Sequence, residues 1–226
     1  MAIHSGRSLA ANPLILTVPG LANSGPGHWQ TRWEQTLPDC RRVDLGLWDD
    51  PHRNTWVNKI NLAVQRAEAA GRPVVLVAHS LGCLAVAWWA EYERPPAARH
   101  GGPVIGALLV APPDVEDRPL DRRLTRFAPV PPSDLPFPSI LVASRDDPYM
   151  PFGQARRLAA TWGARFADAG AVGHVNAQSD LGDWAFGRLL LNRLLPRPLS
   201  LDDGPAHYAP ANRPFIDPAL RRLGAA

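Results

Sequence analysis

The chain predicts an α/β fold, a mainly parallel sheet with helices on both faces, and three observations carry that expectation. Short apolar runs alternate with stretches of helical period along residues 14–195. Several runs, such as Val74-Val75-Leu76-Val77 and Val104 to Val110, are continuously apolar, as strands buried on both faces are. Most of these runs also give way to a helical pattern, which is the βαβ rhythm of a parallel sheet.

The elements follow in order. Leu14-Ile15-Leu16-Thr17-Val18 reads as a strand that ends at Pro19-Gly20, and helix-like residues run from His28 to Leu37. A weak strand surrounds Arg42-Val43-Asp44-Leu45. Asn54 to Ala70 reads as an amphipathic helix closed by Gly71 and Pro73. The strand from Val74 leads through Ala78-His79-Ser80-Leu81-Gly82 into a helix. Strands follow at Val104 to Val110, ended by Pro112-Pro113, and at Ser139 to Ala143. A helix from Phe152 to Trp162, a short strand Arg165-Phe166-Ala167 and a helix from Asp183 to Leu195 complete the pattern.

Two segments fall outside it. Asp114 to Pro138 is rich in proline and charge and carries Leu124, Phe127 and Leu135. It is expected to cover part of the site, the alternative being a long crossover. Residues 196–226 hold six prolines with Tyr208 and Phe215 and read as a tail on a domain of residues 1–195. Its prolines exclude a regular helix or central strand, so it is expected to be dispensable for chemistry. Its aromatics could dock on a groove or a second subunit, which leaves a homo-oligomer open.

Composition bounds the function. The 226 residues are 46% hydrophobic, enough for one continuous core. The net charge of +3 is carried almost wholly by scattered arginines, with Lys59 the one lysine, so no nucleic-acid footprint is gathered. Two cysteines, Cys40 and Cys83, make no disulfide framework. Met1 to Arg7 lacks a signal-peptide pattern, and no apolar run reaches membrane-spanning length. A cytoplasmic location is the default expectation. No metal-ligand spacing, phosphate loop or dinucleotide fingerprint is evident, so no metal or cofactor is expected.

The chemistry is concentrated at Ser80. A serine between small residues on a strand-to-helix turn has its hydroxyl lifted above the sheet edge, close to orphan helical N–H groups. Ala78 stands where a glycine is usual and still meets the need for a small residue. The competing reading of Ser80 is a helix N-cap. Acyl transfer by serine also needs a base, a carboxylate to orient that base, and oxyanion donors. The base candidate is His174, which among the seven histidines alone lies between the last strand and the last helix. Asp146 and Asp147 compete for the acid role, with Asp147 favoured by its Asp-Pro setting and Asp114 a minor alternative. Leu81 N–H is one oxyanion donor. The other should come from the loop after Pro19-Gly20, at Leu21 or else Ala22. His28, Trp29 and His79 are candidates for the pocket. The bland reading of His28-Trp29 is a helix start in which Trp29 packs against Trp33.

Val18-Pro19-Gly20, Ser24-Gly25-Pro26-Gly27-His28-Trp29, Ala78-His79-Ser80-Leu81-Gly82, Asp146-Asp147-Pro148, Gly173-His174-Val175-Asn176 and Leu181-Gly182-Asp183-Trp184 resemble the retinoblastoma-binding-protein-9/YdeN-like serine hydrolases. The resemblance spans roughly Leu14 to Leu195. It implies a small α/β-hydrolase fold with little or no cap and a triad of Ser80, Asp147 and His174. It implies no particular substrate. The expected activity is hydrolysis of carboxylic esters, with thioesters or amides also open, on a small-molecule acyl substrate. The alternatives are an acyltransferase and a non-catalytic binding protein on the same scaffold.

Overall fold

The computed structural model describes residues 12–116, 121–197 and 199. Strands β1 (Leu14–Val18), β2 (Cys40–Arg42), β3 (Val74–His79), β4 (Val104–Val110), β5 (Ser139–Ala143) and β6 (Arg165–Asp168) form one sheet in the order β2-β1-β3-β4-β5-β6. Every neighbouring pair is parallel. The helices are α1 (Trp29–Thr36), α2 (Arg53–Ala69), α3 (Leu81–Glu93), α4 (Arg122–Thr125), α5 (Phe152–Thr161) and α6 (Ala185–Asn192).

Successive strand side chains point to opposite faces, so each continuously apolar strand feeds two cores at once. Leu16, Val18, Leu76, Ala78, Leu109 and Leu141 face one core with α2, α3 and α5. Ile15, Val75, Val77, Leu108, Val110 and Ile140 face the other with α1 and α6. The helices read the same division. In α2 the buried residues Trp56, Val57, Ile60 and Val64 form one stripe at helical spacing. Helix α3 is buried without a break from Leu81 to Ala90, as its uniformly apolar sequence requires. Trp29 and Trp33 of α1 meet at 4.8 Å between ring centroids, and both rings pack on Trp184 before α6.

The structure shifts several boundaries. Strand β2 ends where the weak strand was expected to start. Val43 continues its pairing through one hydrogen bond to Thr17, but the chain then turns away. Helix α6 starts two residues after Asp183, because Trp184 takes a left-handed conformation (φ 46°) that no right-handed helix contains. Residues 121–138 contribute Leu124, Phe127 and Phe137 to the first core. Asp121, Arg123 and Leu124 line a cavity above Ser80, so this segment covers part of it. The expected tail lies outside the described residues, apart from its first two positions and Leu199.

Strand order reverses between β1 and β3, and ligands of open parallel sheets bind outside the carboxyl ends at such a switch point. There the backbones of β1 and α3 nearly touch. A Cβ on Gly82 would come within 2.3 Å of the Val18 carbonyl oxygen and 2.6 Å of that of Pro19. Both are backbone atoms that cannot swing aside. Gly82→Ala is therefore expected to destabilise the fold by about 1–3 kcal/mol, the usual range for overpacking. Thermal melts beside Gly25→Ala, whose Cβ would meet nothing within 4 Å, check this.

Candidate active site

Ser80 sits between β3 and α3 at φ 53°, ψ −127°, outside the regions an L-residue prefers. Its N–H is held by Val110 O at 2.8 Å, and its carbonyl accepts from Cys83 N at 2.9 Å, so strand and helix both fix the turn. Such a conformation costs of order 1–3 kcal/mol and persists where the surroundings over-determine it. Gly20 completes the clamp, since a Cβ there would lie 2.8 Å from Ser80 Cβ. The Ser80 side chain caps nothing in α3, so the N-cap reading of this serine does not hold.

His174, in the loop after β6, reaches Ser80 Oγ with Nε2 at 2.9 Å. Its Nδ1 lies 3.0 and 2.9 Å from the two carboxylate oxygens of Asp147, in the loop after β5. The Asp147 side chain is 2% exposed and also accepts from Tyr149 N at 2.9 Å. The Tyr149 ring packs edge-on against the imidazole at 4.6 Å between centroids. An ionised carboxylate against Nδ1 keeps a proton there and leaves Nε2 as the acceptor toward the serine hydroxyl.

The two adjacent aspartates divide the work. Asp146 turns away from the imidazole and accepts from Ser144 Oγ at 2.7 Å and Gly173 N at 2.8 Å. Those bonds hold its carboxyl below the usual carboxylate range and brace the backbone that presents His174. Asp114 accepts from Glu116 N and lines a different cavity with Met150 and Arg157.

The loop after β1 lies against the serine. The position of a Gly20 Cβ is 3.2 Å from Leu81 N, so the start of this loop and the first N–H of α3 face one small volume. Ala22 N–H is committed to Trp48 O at 2.9 Å, so it is not available as an oxyanion donor. Residues far apart in sequence hold the loop. Arg42 donates to Asn23 Oδ1 and Ser24 O, both at 3.0 Å, while its guanidinium pairs with Glu34 of α1. Buried Gln30 accepts from Ser24 Oγ at 2.6 Å and donates to Val77 O at 2.9 Å, tying the loop to α1 and β3.

A cavity of about 430 Å³ opens above Ser80, a size suited to a small ligand. Leu21, Ala22, His28, His79, Ser80 and His174 all line it. So do Tyr149, Asn176 and Gln178, to which the sequence reading assigned no role. Trp29 does not. Its ring is buried in the second core, and Nε1 donates to Val175 O at 2.8 Å, propping the His174 loop from beneath. His79 supports the same loop by donating from Nε2 to the His174 carbonyl at 3.0 Å. His28 caps α1, with Nδ1 accepting from Gln30 N at 3.1 Å. Among the described residues, no cluster of three His, Cys, Asp or Glu is placed to hold a metal, and no helix is long and apolar enough to cross a membrane.

Both supporting histidines are neutral in the fold. Burial, with Arg42 and His174 nearby, lowers His28 to about 4, and burial drives His79 well below its ordinary value. The unfolded chain therefore binds more protons than the folded one below about pH 6.5, and stability rises with pH there. Denaturant titrations should show stability falling from pH 6.5 toward pH 4. His28→Asn, which keeps a capping oxygen and removes the titrating ring, should flatten that slope.

The serine hydrolase family model matches residues 15–193. Among solved structures, a protein described as a YdeN-like hydrolase from Pectobacterium atrosepticum aligns at a TM-score of 0.67 and 29% identity. The alignment covers 82% of this chain and 94% of that one. The ydeN gene product of B. subtilis aligns at 0.64 and 19% identity, over 80% and 98% of the two chains. Est1E of Butyrivibrio proteoclasticus aligns at 0.61 and 14% identity, over 83% and 90%, and shares the fold. No curated protein sequence gives a significant match. With the family model spanning nearly the whole described chain and a YdeN-like hydrolase aligning over most of it, this protein belongs to the serine hydrolase family and has the α/β-hydrolase fold.

Proposed function

We propose that the protein hydrolyses carboxylic esters through an acyl-enzyme formed on Ser80. The observation that supports this most is the continuous Ser80–His174–Asp147 relay, with both imidazole nitrogens engaged. Ser80 Oγ attacks the ester carbonyl while His174 Nε2 takes the hydroxyl proton. Asp147 holds the ring and stabilises the imidazolium that forms. The negative charge that develops on the carbonyl oxygen falls between Leu81 N–H and Leu21 N–H. One such donor is worth roughly 2.7–4 kcal/mol in the transition state. Collapse expels the alkoxide, which takes the proton from His174 and leaves as the alcohol. A water then repeats the sequence: His174 takes its proton, the hydroxide attacks the acyl carbonyl, and Ser80 leaves with the proton returned. The products are an acid and an alcohol, and no co-reactant beyond water is required.

Ser80→Ala is expected to lower kcat for p-nitrophenyl ester hydrolysis on the order of 10⁴-fold or more, and to abolish labelling by a fluorophosphonate, without loss of fold. Activity within tenfold of the parent would overturn the assignment. The aspartates should separate sharply. Asp147→Asn removes the charge that fixes the imidazole tautomer and should cost on the order of 10⁴-fold in kcat. Asp146→Asn loosens only a loop brace and should cost less than about tenfold, a ranking that steady-state kinetics of the two folded variants checks.

A further inference from the structure

His28 has a part that its capping role leaves unexplained. Nδ1 accepts a hydrogen bond from Gln30 N, so it carries no proton. The neutral ring must then hold its proton on Nε2. The bonding directions of the two ring nitrogens diverge widely, so Nε2–H points away from the start of α1. His28 is 3% exposed and lines the cavity above Ser80. Its Nε2 is buried and has no hydrogen-bond partner. Neither neighbouring ring makes that bond: His79 packs edge-on at 4.7 Å with its Nε2 donating to the His174 carbonyl, and Trp29 has no acceptor. An unsatisfied buried donor is costly unless something supplies an acceptor.

We propose that His28 Nε2–H is a specificity-determining donor that binds an ether, hydroxyl or carbonyl oxygen on one arm of the substrate. The enzyme would then favour esters bearing such an oxygen over alkyl esters of equal length. This rests on ester hydrolysis at Ser80. A site built around a buried donor rejects the analogue without the acceptor, because the donor is then desolvated and left unpaired. A purely apolar pocket would show the opposite preference, since an oxygen in place of a methylene loses transfer free energy there.

The test uses two matched pairs that differ by one methylene replaced by oxygen. On the acyl arm these are p-nitrophenyl 3-methoxypropanoate and p-nitrophenyl pentanoate. On the alcohol arm they are 2-methoxyethyl acetate and butyl acetate. The readout is the ratio of kcat/KM for the oxygen ester over the alkyl ester, compared between enzymes, so that the inductive effect of the oxygen cancels. Two substitutions separate the two nitrogens of His28. In His28→Asn the amide matches the position of Nδ1, so the cap survives and the cavity donor is lost. In His28→Gln the amide nitrogen reaches the position of Nε2, so the donor survives and the cap is lost. On at least one arm, His28→Asn should lower the ratio about tenfold while melting near the parent. His28→Gln should recover most of the ratio while melting lower. Ratios unchanged in His28→Asn on both arms would overturn the proposal, as would a ratio that follows the melting temperature instead of the donor. A parent enzyme that hydrolyses none of the four esters and takes no fluorophosphonate label would fail earlier, at Ser80, and remove the proposal with it. Labelling at Ser80 with turnover but no His28 effect would refute this inference alone.

Discussion

The close approach of three backbones at the switch point governs everything built above the sheet. The end of β1, the end of β3 and the first turn of α3 meet where Gly20, Ser80 and Gly82 lie in contact, and side chains at either glycine would collide with backbone or with Ser80 Cβ. That crowding holds Ser80 at a positive φ. It also brings the loop after β1 within reach of the first N–H of α3, so the serine and the backbone facing it are arranged by one contact. The two cores on either side of the sheet make the contact rigid. Fully buried Val18 and Ala78 pack into the first core, and Val77 and Val110 into the second.

The remaining parts of the site hang on cores of opposite faces. Ser80 leads into α3 in the first core, while His174 lies in a loop pinned to the second. Trp29 donates to the carbonyl of Val175, and Trp33 donates to that of Asp183 at 2.8 Å, so α1 grips the loop on either side of its short 3₁₀ turn at Ala177–Ser179. Helix α1 thus supplies the floor of the His174 loop, while its N-cap supplies a wall of the cavity. Motion of α1 against the sheet would loosen the imidazole and the cavity together.

The order of serine, aspartate and histidine was legible because each follows an expected strand, Ser80 and Asp147 after plain apolar runs and His174 after the short Arg165-Phe166-Ala167. So was the need for small residues around Ser80. Other features depend on pairings that no local pattern carries. Asp146 and Asp147 differ only in which way the turn after β5 aims them, and the hydrogen bond from Gly173 N that captures Asp146 comes from another loop. Ala22 is removed as a donor by the carbonyl of Trp48, which arrives from the far side of β2. Gln30 and Arg42 give no sign in one dimension that they hold the loop after β1. Strand β2 was misplaced because a short edge strand with two arginines has neither alternation nor an apolar run to mark it. Trp29 and His28 are adjacent, yet the helical turn sends one beneath the loop and the other to the cavity.

The strand order bears on behaviour in concentrated solution. A parallel sheet of this kind ends in two unpaired margins, and a long flat margin is a template on which further chains can add. Among the described residues the margins are β2, with three residues, and β6, with four. Exposed Arg41 stands on one and exposed Arg165 on the other, and Arg145 reaches over the second margin to Asp168 at 2.7 Å. Brevity and charge at both ends make intermolecular strand addition unfavourable, so the long, apolar central strands are shielded from the route by which such sequences seed fibrils.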